Sequence, residues 1–134
     1  MNDLVGLFSR GPKDLQKKKN IEKFKKLRRL VKEKKYDQAL NVGLEYLQKA
    51  PENHDVLFTV GGIYYIQKKY KSAISFYEKA LEIGYYDIEV LILKANAHYF
   101  IGENKRAIQC CERIKEIDPK NKAVRELLDK INSK

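Results

Sequence analysis

Two histidines, two cysteines and one pair of adjacent glycines are the residues of this 134-residue chain that could carry chemistry. His54 and His98 could each act as a general base or a metal ligand, yet neither is tied to a Ser or Cys nucleophile motif. Cys110 and Cys111 are neighbours, so they close no structural loop, and no second cysteine pair or nearby histidine completes a zinc site. They read as core or half-core thiols of a reducing compartment. Val60-Gly61-Gly62 lies inside a helical apolar pattern and follows no strand, so it is not a phosphate-cradling loop. The acidic residues are scattered without a metal-ligand spacing. The expectation is a non-enzyme with no catalytic residue, no metal and no cofactor, in which His54 sits in a loop and His98 packs on a helix.

Charge is the second chemistry on offer. Residues 1–35 carry 13 Lys and Arg against 4 Asp and Glu, while the chain as a whole carries 28 against 18. Nearly all of the formal +10 therefore sits in the first quarter. Lys17, Lys18, Lys19, Lys25, Arg28, Arg29 and Lys32 form a basic patch that would raise the local concentration of nucleic acid, an anionic surface or an acidic protein. No aromatic residue alternates with these lysines as a base-stacking platform requires. Nucleic-acid association through phosphate contacts over 13–35 is the alternative function, and it would be non-specific and steeply salt-dependent. A lysine-rich solvated helix is the other reading of the same residues.

The elements that hold these residues are helical. Hydrophobic residues make up 43% and charged residues 34%, as in a folded soluble domain. Seven glycines, three prolines and no tryptophan argue against a turn-rich β fold. No apolar run is long enough to suggest a membrane span. The first residues lack the n-region, h-region and cleavage site of a signal peptide, so a cytoplasmic protein is expected.

A repeat organises the chain. Tyr36-x-x-Ala39, Tyr70-x-x-Ala73 and Asn104-x-x-Ala107 recur at intervals of 34 residues. Each follows a polar turn and precedes an amphipathic stretch that ends in a loop. The intervals define repeats 20–53, 54–87 and 88–121. Leu57, Val60, Gly61 and Tyr64 fall on one helical stripe, as do Ala73, Tyr77, Ala80 and Leu81. Two helices joined by about three residues make an antiparallel hairpin, which must stack on the next to bury its second face. Gly61 costs about 1 kcal/mol against Ala mid-helix, so close approach of a partner helix is expected there. Gly84 is expected to stop the second helix as a left-handed cap. Val124, Leu127, Leu128 and Ile131 give 122–134 the pattern of a terminal capping helix, and Pro12 opens a long basic helix at the other end.

This pattern resembles the tetratricopeptide repeat. The second repeat carries it best, through Leu57, Gly61, Tyr64, Tyr70, Ala73, Tyr77 and Ala80, with Tyr85 where the family has a proline. The third keeps Leu91, Ala95, Ala107, Ile114 and Pro119, with His98 for the usual tyrosine and Cys111 for the usual aromatic. The first keeps Tyr36, Ala39 and Pro51 but has Lys23 and Lys26 at usually apolar positions. The resemblance implies an all-α solenoid of antiparallel helix pairs, wound as a right-handed superhelix. It divides the chain into a basic, partly helical extension at 1–19 and a repeat domain at 20–134.

The resemblance further implies a non-catalytic interaction scaffold whose first helices line a concave groove for a peptide or helix of another protein. The stripe of each first helix not used in hairpin packing carries Ile21, Phe24, Arg28 and Val31, then Asp55, Phe58, Gly62 and Tyr65, then Glu89, Ile92, Asn96 and Tyr99. The peptide-binding candidates are Phe24, Arg28, Phe58, Tyr65, Ile92, Asn96 and Tyr99. The same side chains could instead pack between adjacent first helices. One version of the groove binds a C-terminal carboxylate through Lys, Asn and Arg; here Phe24, Arg28, Thr59, Glu89 and Leu93 stand there, which argues against that ligand. Self-association stays open, as does docking of Leu4-Val-x-Leu-Phe8 on its own solenoid, a neighbour or a partner.

Overall fold

The computed structural model describes residues 12–85 and 87–133, which form seven helices and no strand among them. In chain order these are α1 (Pro12–Lys32), α2 (Tyr36–Lys49), α3 (His54–Ile66), α4 (Tyr70–Ile83), α5 (Ile88–Phe100), α6 (Asn104–Ile117) and α7 (Lys122–Asn132). Each helix packs on the next in the chain, and α7 also reaches α5. That is the connectivity of an all-α helical-repeat solenoid. The segment Leu4 to Phe8 lies outside the described residues. α1 is one unbroken helix, so it runs through the point between residues 19 and 20 where the sequence divides extension from repeat.

The boundaries recur at the repeat period because the capping chemistry does. Asn53, Asp87 and Asn121 each accept a hydrogen bond from the backbone N–H three residues on, at 3.1, 3.2 and 3.1 Å. These caps start α3, α5 and α7 by satisfying an otherwise orphaned donor. The turns inside the hairpins recur as well. Lys34, Lys68 and Gly102 adopt φ of 61°, 61° and 81°. Around each, one N–H reaches back three residues and the next reaches back five, as in Lys68 N to Tyr65 O and Lys69 N to Tyr64 O. This is the Schellman arrangement, which disposes of the last free carbonyls of the first helix. Two lysines hold a left-handed conformation that glycine adopts at far lower cost.

Gly84 differs from expectation. Its φ is −106°, so it is not a left-handed cap, although α4 does end at Ile83. Space is what demands glycine here. A Cβ at Gly84 would lie 2.7 Å from Nε2 of His54. His54 is the first residue of α3 rather than a loop residue, and its Nε2 lies 3.3 Å from Oδ2 of Asp87, close in distance though without hydrogen-bond alignment. Gly61 meets its expectation, since a Cβ there would come within 2.7 Å of the Tyr77 ring.

Two apolar clusters form the core. The first joins Leu27, Leu30, Ala39, Tyr46, Val56, Val60 and Ile63 across α1 to α3. The second joins Leu57, Tyr77, Leu81, Val90, Leu91, Cys111, Ile114 and Leu127 across α3 to α7. Leu47, Tyr64 and Phe76 pack against both and make the solenoid continuous. The weak first repeat tolerates its lysines at the edge: Lys26 is exposed, and Lys23 reaches Glu45 of α2 at 3.2 Å.

Candidate functional site

α1, α3 and α5 are the first helices of successive hairpins, and the stripe they carry is neither sealed nor free. Phe24, Phe58, Tyr65, Ile92, Asn96 and Tyr99 are all half-buried, and Arg28 is exposed. Phe24 packs on the first core cluster, with the Arg28 guanidinium 6.0 Å from its ring centroid, at the outer limit of a cation–π contact. Phe58, Tyr65, Ile92 and Tyr99 pack on the second cluster. Each of these apolar side chains rests one side on the core while the remainder stays open.

The best-organised part lies between α3 and α5. Asn96 lies close enough to Tyr65 to act on its phenol, bringing two predicted residues together across the repeats. Burial, with Tyr70 nearby, pushes the Tyr65 phenol above its ordinary pKa, and the Asn96 side chain offsets part of that. The Phe58 ring lies 6.2 Å from that of Tyr77, whose fully buried hydroxyl has no hydrogen-bond partner among the described residues. Gly62, in the middle of α3 on this stripe, faces open space.

Tyr70 and Phe100 extend this surface and were missed in the sequence. Tyr65 meets Tyr70 edge-on at 5.4 Å, Tyr70 stacks with Phe100 at 5.0 Å, and Tyr99 lies 5.7 Å from Phe100. Ile66 and Phe100 are 53% and 51% exposed, and they stand one repeat period apart. That recurrence of an apolar residue at the end of the first helix was the available signal. Phe24 and Arg28 form a separate contact on α1, away from this aromatic group.

The basic patch is displayed rather than folded away. Lys17, Lys18, Lys19, Lys25, Arg28, Arg29 and Lys32 are all exposed on α1. At about 100° per residue, all but Lys19 fall within roughly 120° of arc, so they mark one face of the helix. His98, by contrast, is buried at 3% exposure, with Nδ1 2.9 Å from Oε1 of Glu103. That hydrogen bond holds the Glu103 carboxyl below the usual carboxylate range. Burial pushes the Cys110 thiol up and that of Cys111 up to about 11, so neither is an activated nucleophile. Among the described residues no His, Cys, Asp and Glu group could hold a metal, and no helix is long and apolar enough to cross a membrane.

Comparison with known proteins places this geometry. No curated protein matches the sequence. Among solved structures, the first TPR domain of Spaghetti (RPAP3) bound to the HSP90 peptide SRMEEVD is similar, with a TM-score of 0.78 at 22% identity over 87% of this chain and 92% of that one. The second TPR domain of human RPAP3, in complex with the HSP70 peptide SGPTIEEVD, gives 0.78 at 22% identity over 85% and 95%. The Arabidopsis OM64 TPR domain gives 0.77 at 15% identity over 87% and 96%. A family model, that of the tetratricopeptide repeat, matches residues 64–131. That match spans just over half of the chain, over helices whose caps, turns and small-residue contacts recur at one period, and so the chain belongs to the tetratricopeptide repeat family.

Proposed function

We propose that the chain is a non-catalytic interaction module that holds a peptide or helical segment of a partner protein along the stripe of α1, α3 and α5. The observation that carries this reading is the half-buried row Phe58, Tyr65, Ile92 and Tyr99, with Asn96 beside Tyr65 at its centre. Aromatic rings already fixed on the core lose little entropy when covered, and each apolar anchor contributes up to about 1.5–3 kcal/mol if buried fully. Two or three half-buried anchors, less the cost of association, correspond to roughly micromolar affinity. Similarity to RPAP3 domains solved with HSP90 and HSP70 peptides supports a peptide ligand. The chain's own residues argue for a different sequence: Phe24, Thr59, Glu89 and Leu93 offer no cation to a C-terminal carboxylate, and Arg28 alone is basic.

In this reading the repeat domain at 20–134 carries the groove and 1–19 adds a basic segment in a cytoplasmic protein. The test is co-purification with mass spectrometry on the parent and on Tyr65→Ala and Phe58→Ala, with helicity checked by circular dichroism. The variants should keep their helicity and lose the principal partner. Recovery of the same proteins by parent and variants rules out the groove. A second reading, phosphate contacts with nucleic acid, is favoured by the exposure of the seven basic residues of α1. It requires binding to single-stranded or duplex nucleic acid that falls steeply with salt, and absence of binding at low salt removes it.

A further inference from the structure

A second surface lies on the other side of α5. An open trough of about 570 Å³ runs between α4 and α6 with α5 as its floor. Leu91, Lys94 and His98 of α5 face it, roughly 130° around the helix from Ile92, Asn96 and Tyr99. Leu81 and Cys110 complete an apolar floor, while Lys94, Lys105, Arg106 and Arg113 line it with one acid, Glu78. Lys94 and Glu78 are 3.7 Å apart. Arg113 is fixed in place, with its guanidinium 3.7 Å from the Tyr85 ring centroid and Nη2 donating to Tyr85 O at 3.1 Å.

The trough exists because one repeat departs from the one before it. One period earlier, His98 and Cys110 correspond to Tyr64 and Phe76, whose rings stack at 5.6 Å and occupy that junction. Lys94 corresponds to Val60, Glu78 to Leu44, and Arg106 to Ser72. Exchanging a stacked aromatic pair for an imidazole and a thiol leaves a hollow, and the surrounding exchanges make it cationic. The charge is polarised. Lys105 and Arg106 sit in the first turn of α6, where the helix dipole adds positive potential, and Glu82, Glu112 and Glu116 line the adjoining concavities near Tyr85.

We propose that this trough binds a short acidic segment of a partner protein, with carboxylates against Lys94, Lys105, Arg106 and Arg113 and apolar side chains on Leu81, Leu91 and Cys110. The test uses the full isotope-labelled chain titrated with a synthetic peptide of repeated Glu-Glu-Leu triplets. Amide shifts should map to Lys94, Lys105, Arg106, Gln109 and Arg113. Arg106→Glu with Arg113→Glu should weaken binding by about tenfold or more, since two charge-assisted contacts become repulsive. Lys18→Glu with Lys25→Glu, the same change of net charge on α1, should have far less effect. His98→Tyr with Cys110→Phe, which restores the aromatic pair of the previous repeat, should abolish the trough shifts. The proposal is overturned if the α1 pair weakens binding as much as the trough pair, if the filled variant binds like the parent, or if shifts fall only on the Phe58, Tyr65 and Tyr99 stripe. The last outcome leaves the groove reading intact, so the two fail separately.

Discussion

Where α3 meets α4, Tyr64 and Phe76 stack at 5.6 Å and Lys79 lies 5.1 Å over the Phe76 ring. One repeat later the same register holds His98, Cys110 and Arg113. With no ring beneath it, the arginine turns to Tyr85 and the imidazole bonds to Glu103. The frame of both junctions is the same, from N-caps at Asn53 and Asp87 to the left-handed turns at Lys68 and Gly102. What differs is the filling. A solenoid needs its caps, turns and small-residue contacts at every period because they set the path of the chain. The outer junction of each hairpin is less constrained, so one can be packed shut and the next left open.

The largest way to break this contrast is to convert the first junction into the second. Tyr64→His with Phe76→Cys should lower stability by about 3 kcal/mol in denaturant melts, because both rings bridge the two core clusters. A loss below about 1 kcal/mol would mean the stacked pair fills space without joining the clusters. Neighbouring glycines give the next test, with opposite signs. Gly61→Ala should cost about 2 kcal/mol by driving a methyl into Tyr77, while Gly62→Ala should gain about 0.5–1 kcal/mol in thermal melts, because its Cβ meets open space.

The turns sharpen the comparison further. Gly102→Ala should cost about 1 kcal/mol, and Lys68→Gly should gain a few tenths to about 1 kcal/mol, since only one of the two turns has the residue its φ favours. The last test is alkaline. The Cys111 thiol is raised from 9.0 to about 11, so the stability that goes with a neutral buried thiol is complete below pH 9 and is lost as pH rises toward 11. Chemical denaturation across that range should show the decline, and Cys111→Ala should lessen it.

The helices were legible because their signals are local and periodic. Ala39, Ala73 and Ala107 are fully buried at one spacing, and Gly61 abuts Tyr77 as a mid-helix glycine suggests. Other details depend on what lies across a junction. Gly84 was read as a left-handed cap, yet the constraint there is the His54 ring arriving from another helix. Lys34 and Lys68 carry the left-handed turns, which residue preference alone would not assign to lysine. Gly43 meets Val60 with a prospective Cβ distance of 2.6 Å, and nothing nearby in sequence signals it.

The candidate surfaces divide the same way. That Phe58, Tyr65, Ile92 and Tyr99 share a stripe follows from helical spacing; that they rest half on the core, with Tyr70 and Phe100 beside them, follows from how hairpins stack. The order of residues alone determined the helices and the family, because apolar spacing at 3.6 residues and recurrence at one period are properties of neighbours in the chain. Only the tertiary structure decided that Glu78, Lys94 and Arg113 meet around a hollow. They come from three helices, and the hollow depends on side-chain volumes missing from two of them.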